Sequence, residues 1–258
     1  MGIKIFPPSQ QAVGAFDGGK ITEQKPIGFP GEGSAVRRVG PLFYWAWAFA
    51  KEEGFIPPHP HHGFEIITYV INGKASHGDS LGTDSIVGVG GAQIMQTGSG
   101  VHHQERFIGP DMEAFQIWFE PYLNEAVRRE PAYHQYEHEE FPLVTRDGLQ
   151  LKTVIGQNAP IQLVADIKMW DITFEPGSTY QHPIPAGYTL AALAIRGNGV
   201  YRNEADPSIR TAFQHKDFVL LEAEADDEKI VLQANEGQEL RMILIEAPRQ
   251  VDYPLYRV

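Results

Sequence analysis

The sequence predicts an all-β protein made of two antiparallel β-barrel, jelly-roll-like halves. The 26 glycines and 19 prolines among the 258 residues are spread along the whole chain, as turns between many short strands require. The runs between these turns are rich in β-branched and aromatic residues. An internal repeat divides the chain into two similar parts.

Nine runs have the length and composition of strands, and each is bounded by turn-forming residues. In chain order they are Ile66–Ile71, Ser85–Val89, Ala114–Phe119, Ile161–Ala165, Lys168–Phe174, Thr189–Ile195, Phe218–Leu221, Ile230–Leu232 and Leu240–Ile245. Helix is predicted only for Leu123–Arg129 and for the C-terminal tail. This pattern is typical of an antiparallel sandwich or barrel.

The repeat places residues 63–73 over residues 187–197. Each copy starts with a glycine and an aromatic residue, continues as a strand and ends at a second glycine, ten residues after the first. The acidic, histidine-bearing segment 134–141 then forms the joint between the halves. The predicted domains are residues 1–137 and residues 138–258.

Charge and composition exclude several classes of function. The chain has 21 basic and 33 acidic residues, a net charge of −12, and no basic tract, so direct nucleic-acid binding is not expected. It has no cysteine, so any metal must be held by His, Asp or Glu. The most apolar run, Leu42–Ala50, is too short to span a bilayer, and the first residues lack the apolar core of a secretory signal. We expect a cytoplasmic protein without a membrane partner, and a monomer.

Six of the ten histidines lie between residues 59 and 103. His59 and His61 are two residues apart, as are His103 and Glu105, so each pair shares one face of an extended strand. Two such pairs on facing strands present three imidazoles and a carboxylate to one ion, with room left for water or substrate. A solvated surface pair is the alternative for either motif alone. Two pairs separated by a glycine-rich segment favour a metal site.

Residues 59–65, His-Pro-His-His-Gly-Phe-Glu, resemble the HPHxGFE signature of the pirin family, a branch of the cupin superfamily. Residues 77–82, 97–105 and 115–118 resemble three further blocks of that family, in the same order and with fitting gaps. The matching blocks lie between residues 57 and 120, and the second half resembles the family much less. The resemblance implies a bicupin with the metal in the N-terminal barrel.

Carried over position by position, the resemblance implies that the metal ligands are His59, His61, His103 and Glu105. Ordinary cupins take their carboxylate from the first motif, which here is Glu65, so both carboxylates are candidates. The pirin pattern favours Glu105. Glu65 then orients an imidazole from outside the ligand set, or is a buried and paired strand carboxylate.

The second half is expected to bind no metal. The repeat aligns His59 and His61 with Pro183 and Pro185, which are not metal ligands. The other histidines considered there, His182 and His215, stand alone.

The resemblance also implies a function. Bacterial pirin-like proteins resemble quercetin 2,3-dioxygenases, which open the heterocycle of flavonols with O2. A metal-dependent dioxygenase acting on a flavonol-like aromatic substrate is therefore the first hypothesis, with Glu105 as the general base. Iron is the preferred metal, and Ni, Cu, Mn or Zn suit the same ligands. Trp45 and Trp47 are expected in the core, with the lining of a substrate cleft as the alternative.

Two other functions remain open. One is a non-enzymatic, redox-sensing regulator, in which the oxidation state of the metal alters a surface that a protein partner reads. The other is a metal-assisted isomerase or hydrolase, since one scaffold hosts many chemistries. Oxygen uptake that depends on substrate separates the first hypothesis from both.

Overall fold

A computed structural model describes residues 2–204 and 210–256 of the protein, and most of these residues lie in strands. None of the helices within these ranges is long and apolar enough to cross a membrane. The first ten strands and the α-helix are β1 (Gly2–Phe6), β2 (Ala12–Phe16), β3 (Ile21–Ile27), β4 (Leu42–Ala50), β5 (Gly54–His61), β6 (Glu65–Asp79), β7 (Asp84–Val87), β8 (Ala92–Gln96), β9 (Val101–Phe119), α1 (Leu123–Ala126) and β10 (Ala132–Tyr136). The remaining strands are β11 (Leu143–Arg146), β12 (Leu149–Ile155), β13 (Lys168–Phe174), β14 (Thr179–Ile184), β15 (Tyr188–Arg196), β16 (Gly199–Asn203), β17 (Arg210–Phe213), β18 (Phe218–Glu222), β19 (Glu228–Ala234) and β20 (Leu240–Pro248). Short 3-10 turns lie at Pro8–Gln10, Asp17–Gly19 and His138–Glu140.

The chain forms two compact units. The first, called the N-terminal barrel, comprises Gln10–Glu140, Leu163–Ala165 and the segment from Val251 onward. The second, called the C-terminal barrel, comprises the segment up to Ser9, Phe141–Gln162 and Asp166–Gln250. The sequence-based boundary lies at 137/138, and the structure changes unit at 140/141. The first residues belong to the C-terminal barrel because β1 pairs with β18 at the edge of its sheet.

The two barrels share one strand order, which confirms the all-β bicupin prediction. The large sheet of the N-terminal barrel has the order β10-β8-β6-β9-β4-β3-β2, and that of the C-terminal barrel has the order β1-β18-β15-β20-β13-β12-β11. The repeated glycines match in conformation: φ is 81° at Gly63 and 79° at Gly187, and 78° at Gly73 and 70° at Gly197. β6 and β15 are therefore equivalent strands that begin and end at equivalent turns.

Two long strands of the N-terminal barrel, β6 and β9, each take part in two groups of paired strands. The C-terminal part of β9 pairs with β4 and the start of β6, whereas its N-terminal part pairs with β5 and the end of β6. The bends lie at Gly73 and at Asp111, both with positive φ. A Cβ on Gly73 would lie 2.9 Å from the carbonyl oxygen of Ile108, so only glycine fits this crossing. In the C-terminal barrel the corresponding second sheet is separate, with the order β14-β19-β16-β17.

Apolar side chains fill the interior of each barrel. The core of the C-terminal barrel contains fully buried residues from most of its strands, including Phe174, Leu190, Tyr201, Phe213 and Leu244. The N-terminal barrel has smaller apolar clusters. The space that they leave is taken by the polar side chains described below.

Two local predictions were wrong, and both segments are held by hydrogen bonds that a sequence pattern does not show. Residues 161–165 are not a strand, because the backbone amides of Val164 and Ala165 bind the carboxylate of Glu65. The tail is not helical over the residues described, because the Tyr256 amide and the Tyr253 hydroxyl bind Glu120.

Candidate metal centre

Three histidines of the N-terminal barrel come together on two neighbouring strands. β5 runs antiparallel to β9 with His59 opposite His103, and His61 lies two residues further along β5 on the same face. The imidazole centroids are 4.4 to 4.7 Å apart. One donor nitrogen from each ring lies within 4.8 Å of the other two, an arrangement that can hold one metal ion.

Hydrogen bonding leaves the lone pairs of these imidazoles free. His59 Nδ1 donates to the carbonyl oxygen of Pro57 at 2.9 Å, because a carbonyl only accepts, and the neutral ring therefore keeps its lone pair on Nε2. His61 Nε2 and both ring nitrogens of His103 are buried and have no hydrogen-bond partner in residues 2–204 and 210–256. Unpartnered buried nitrogens are costly, and a metal ion would supply their partner. The donor set fits a divalent transition metal.

The electrostatic environment keeps two of the rings uncharged. Burial, together with the neighbouring imidazoles, lowers the pKa of His61 and of His103 to about 3. Near neutral pH both rings are unprotonated, which is the form that binds metals.

Glu105 lies two residues after His103 on β9 and is 3% exposed. Its carboxylate accepts hydrogen bonds from Gln116 Nε2, at 2.8 and 2.7 Å to its two oxygens, and from Thr68 Oγ1 at 3.2 Å. Thr68 and Gln116 are register partners on β6 and β9, so together they form a polar clamp on the carboxylate. The structure brings the three histidines together, and Glu105 is not part of the group with mutual spacing below 4.8 Å. Glu105 as fourth ligand and base stays a prediction.

Trp118 connects the clamp to the imidazoles. Its Nε1 donates to Gln116 Oε1 at 3.2 Å, and its ring lies edge-on to His61 with centroids 4.7 Å apart. Gln116 and Trp118 belong to a family block in the sequence, but sequence reasoning gave neither a role. Their i, i+2 spacing was the available signal, since it puts both on one face of β9.

Within residues 2–204 and 210–256, the hydrogen-bond partners of the Glu65 carboxylate are amides, and no imidazole is among them. Glu65 is 2% exposed, and its carboxylate accepts hydrogen bonds from Gln96 Nε2 and from the backbone amides of Val164 and Ala165. Burial raises the pKa of Glu65, although these donors oppose the shift. Of the two interpretations, the structure shows the buried and paired strand carboxylate.

An aromatic cluster lies beside His61. Trp118 packs against Tyr44, Phe29 and Phe43 with ring centroids 5.1 to 6.0 Å apart. Trp45 and Trp47 point to the opposite face of β4 and pack against Phe115, at 0% and 1% exposure. The two tryptophans singled out in the sequence are therefore core residues.

A second imidazole network flanks His103. His77, 3% exposed, is 2.9 Å from the Asp79 carboxylate through Nε2 and stacks on Tyr133 with centroids 4.3 Å apart. Its ring centroid is 5.3 Å from that of His103, so it packs against one of the three clustered histidines. A cavity of about 420 Å³ lies on this side, lined by residues that include Asp79, Ser80, Asp84, His102 and His103.

The C-terminal barrel carries a modified version of this arrangement. On β14 the inward positions are Tyr180, His182 and Ile184, whereas Pro183 is exposed, so the sequence repeat is one residue out of step here. His182 is opposite Ile230, as His59 is opposite His103. An apolar side chain thus stands where the N-terminal barrel has its third imidazole, and the absence of a metal from this barrel stays a prediction.

Comparisons with known proteins agree with this architecture. The family model described as Pirin matches residues 46–119. A pirin-like protein of Caulobacter vibrioides is 31% identical over 190 residues, which cover 67% of this chain and 79% of the relative. The matches to several other curated relatives cover 50% to 70% of their length.

Solved structures show the same fold at lower identity. The bacterial pirin YhhW of Escherichia coli, solved with nickel(II), has a TM-score of 0.75 and 20% identity, with 96% of this chain and 99% of that chain covered. A quercetin 2,3-dioxygenase of Acinetobacter baumannii has a TM-score of 0.79 and 19% identity, with 99% and 88% covered.

Proposed function

The chain belongs to the pirin family, and from this premise we propose that it is a metal-dependent dioxygenase that opens the heterocycle of a flavonol such as quercetin with O2. The observation that carries the proposal is the cluster of His59, His61 and His103, in which His61 Nε2 and both ring nitrogens of His103 are buried without a hydrogen-bond partner among the described residues. Support also comes from the fold shared with the quercetin 2,3-dioxygenase of A. baumannii and with the nickel-bound pirin of E. coli.

In this proposal the three imidazoles hold one divalent transition metal, and Glu105 is the fourth ligand. Iron is the preferred metal, with nickel, copper, manganese and zinc as alternatives of similar ligand preference. A metal bound there supplies a Lewis acid that acidifies the flavonol hydroxyl and brings the substrate together with O2. The tautomer fixed by Pro57 points the Nε2 lone pair of His59 away from that carbonyl.

Glu105 accepts the proton of the flavonol 3-hydroxyl. Gln116 is bound to both carboxylate oxygens and fixes their orientation before substrate arrives, which removes a conformational cost from the proton transfer. Because Gln116 is itself held by Trp118, the indole that contacts His61 also positions the base.

The aromatic cluster supplies the apolar surface that a flat substrate requires. Phe43 and Tyr44 are buried, Trp118 is partly buried and packs against His61, and Phe64 stacks on Trp118. An apolar wall of this kind excludes water from an electron-rich bound substrate and favours its reaction with O2 over side reactions.

The test combines metal analysis with oxygen uptake on quercetin. Protein purified without a nickel column should contain about one transition metal per chain, which follows from one ligand set. It should consume O2 only when quercetin is present. His103→Ala should lose both metal and uptake. His102→Ala, on the same strand but exposed, is the matched control and should keep both.

The Glu105→Gln variant separates binding from chemistry. It should retain most of the metal and lose uptake, since the three imidazoles remain and the base is gone. Metal without uptake in the wild-type protein would refute the dioxygenase and favour the regulatory alternative. Retention of metal by His103→Ala would refute the site itself.

A further inference from the structure

The C-terminal barrel contains a cavity at the place that corresponds to the metal centre. It has a volume of about 260 Å³ and lies between β13, β14 and β20. The residues that line it are Lys168, Trp170, Tyr180, His182, Pro183, Ile184, Pro185, Asp227 and Glu246.

Strand pairing shows which positions correspond. Glu246 is opposite Lys168 on β20 and β13, just as Trp118 is opposite Tyr44 on β9 and β4. An ion pair thus occupies the position that an aromatic pair occupies in the other barrel. The cavity contains one imidazole, that of His182, and the groups around this imidazole differ from those in the N-terminal barrel.

The polar groups of this cavity form one continuous network. Glu246, 2% exposed, accepts from Lys168 Nζ at 2.7 Å on one oxygen and from His182 Nε2 at 3.2 Å on the other. Because the carboxylate only accepts, Nε2 of His182 carries a proton, and in the neutral ring Nδ1 accepts from the Tyr180 hydroxyl at 3.3 Å. Both nitrogens of His182 are therefore used within the protein, which leaves no lone pair for a metal.

The network leaves specific groups available to a ligand. The ammonium of Lys168 uses one of its three N–H donors on Glu246, and its side chain is 44% exposed. The hydroxyl oxygen of Tyr180 keeps acceptor capacity. Trp170, half-buried and edge-to-face with His182 at 4.9 Å, provides an aromatic wall, and Ile184 and Pro185 provide an apolar one.

The size of the cavity restricts the class of ligand. An apolar cavity of about 150 Å³ accommodates one benzene ring, and drug-sized ligands occupy about 300 Å³ or more. A volume of about 260 Å³ suits a single substituted ring.

We propose that the C-terminal barrel is a second, metal-independent binding site for a single-ring aromatic compound that carries an acidic oxygen, of the hydroxybenzoate class. The ring packs against Trp170, and the anionic oxygen accepts hydrogen bonds from Lys168. Glu246 and His182 hold Lys168 and Tyr180 in place. The site requires neither the metal nor the dioxygenase activity of the N-terminal barrel.

The experiment is a titration of the full-length, metal-loaded protein with 4-hydroxybenzoate, followed by calorimetry and by tryptophan fluorescence. We expect one equivalent to bind per chain and to change the emission of Trp170. Lys168→Gln should weaken binding at least about tenfold, the factor that corresponds to loss of one charge-assisted hydrogen bond. Trp170→Phe should abolish the fluorescence change. Lys4→Gln, which breaks the exposed Lys4–Glu222 ion pair in the same barrel, is the matched control and should bind normally.

A variant of the other barrel locates the site. His103→Gln should leave 4-hydroxybenzoate binding unchanged even when the metal is lost. Absence of binding at millimolar concentration would overturn the proposal, and so would binding that depends on His103 but not on Lys168. Neither result would bear on oxygen uptake with quercetin, so this proposal and the proposed function fail separately.

Discussion

Replacing His103 by leucine should stabilise the metal-free protein and destabilise the metal-loaded one. His103 is 3% exposed, and both of its ring nitrogens are buried without a partner among the residues described. An unsatisfied buried polar group costs about 1–3 kcal/mol, and leucine of similar size removes that cost in the apo protein. For a protein of this size, each kcal/mol corresponds to a rise of about 2–4 °C in the Tm of the N-terminal barrel.

Metal reverses the order of stability. With free metal at about 100 times its Kd, the wild-type protein gains about 2.7 kcal/mol, whereas a variant that has lost a ligand gains much less. Differential scanning calorimetry of both proteins, with chelator and then with excess metal, measures the two differences. His102→Leu, an exposed neighbour on the same strand, should change Tm little in either condition. A chelated His103→Leu protein that melts below the chelated wild type would refute the reasoning.

Three further predictions rest on single contacts. Gln116→Leu should lower kcat for quercetin about 10- to 100-fold with metal content unchanged, because the carboxylate of Glu105 loses its main donor. Steady-state oxygen uptake measures kcat and elemental analysis measures the metal content, and an equal loss of both would contradict the prediction. Gly73→Ala should reduce the free energy of unfolding by about 1–3 kcal/mol, because φ is 78° and the new Cβ would collide with the Ile108 carbonyl. Urea denaturation measures this free energy, and an unchanged midpoint would show that the strand adapts to the new side chain. Burial alone would raise the pKa of Glu246, but hydrogen bonds from a histidine and a lysine outweigh burial and lower the pKa from 4.5. The ionised Glu246 therefore stabilises the fold above pH 4.5, and this stabilisation is lost as the pH falls through the lowered pKa. Denaturation of Glu246→Gln across acidic pH should show that this part of the pH dependence is gone, and an unchanged slope would contradict the assignment.

The histidine cluster could be predicted because its geometry depends on one short-range rule. His59 and His61 share a face through the two-residue period of a strand, and the register of β5 against β9 then puts His103 opposite His59. Local periodicity is sufficient for features of this kind.

The clamp on Glu105 could not be predicted from the same rule. Counting in twos from Glu105 places Gln116 on the opposite face of the strand. The bend at Asp111, which has a positive φ of 52°, shifts the phase so that the two side chains meet. Nothing in the residue pattern states how many residues such a bend consumes.

Long-range hydrogen-bond partners and offsets in the alignment of the repeat could also not be predicted from the sequence. Glu65 binds backbone amides about a hundred residues away, and no periodic signal links those positions. In the C-terminal barrel a one-residue offset turns His182 inward, where the sequence repeat had aligned Pro183 with a metal ligand. The sequence repeat therefore predicts equivalent turns more reliably than it predicts equivalent side-chain positions on the strands between the turns.

The exchange of end segments between the barrels has a consequence for the order of synthesis. Strand β1 precedes all the other strands described, but its partner β18 is translated more than two hundred residues later. Conversely, the Glu120 side chain of the N-terminal barrel accepts a hydrogen bond from the backbone amide of Tyr256, which is translated 136 residues later. The N-terminal barrel therefore cannot be completed before the segment from Val251 onward, which follows the last residue of the C-terminal barrel, has been made. A fragment cut at residue 140 would leave β18 with a bare edge, open to pairing with other chains.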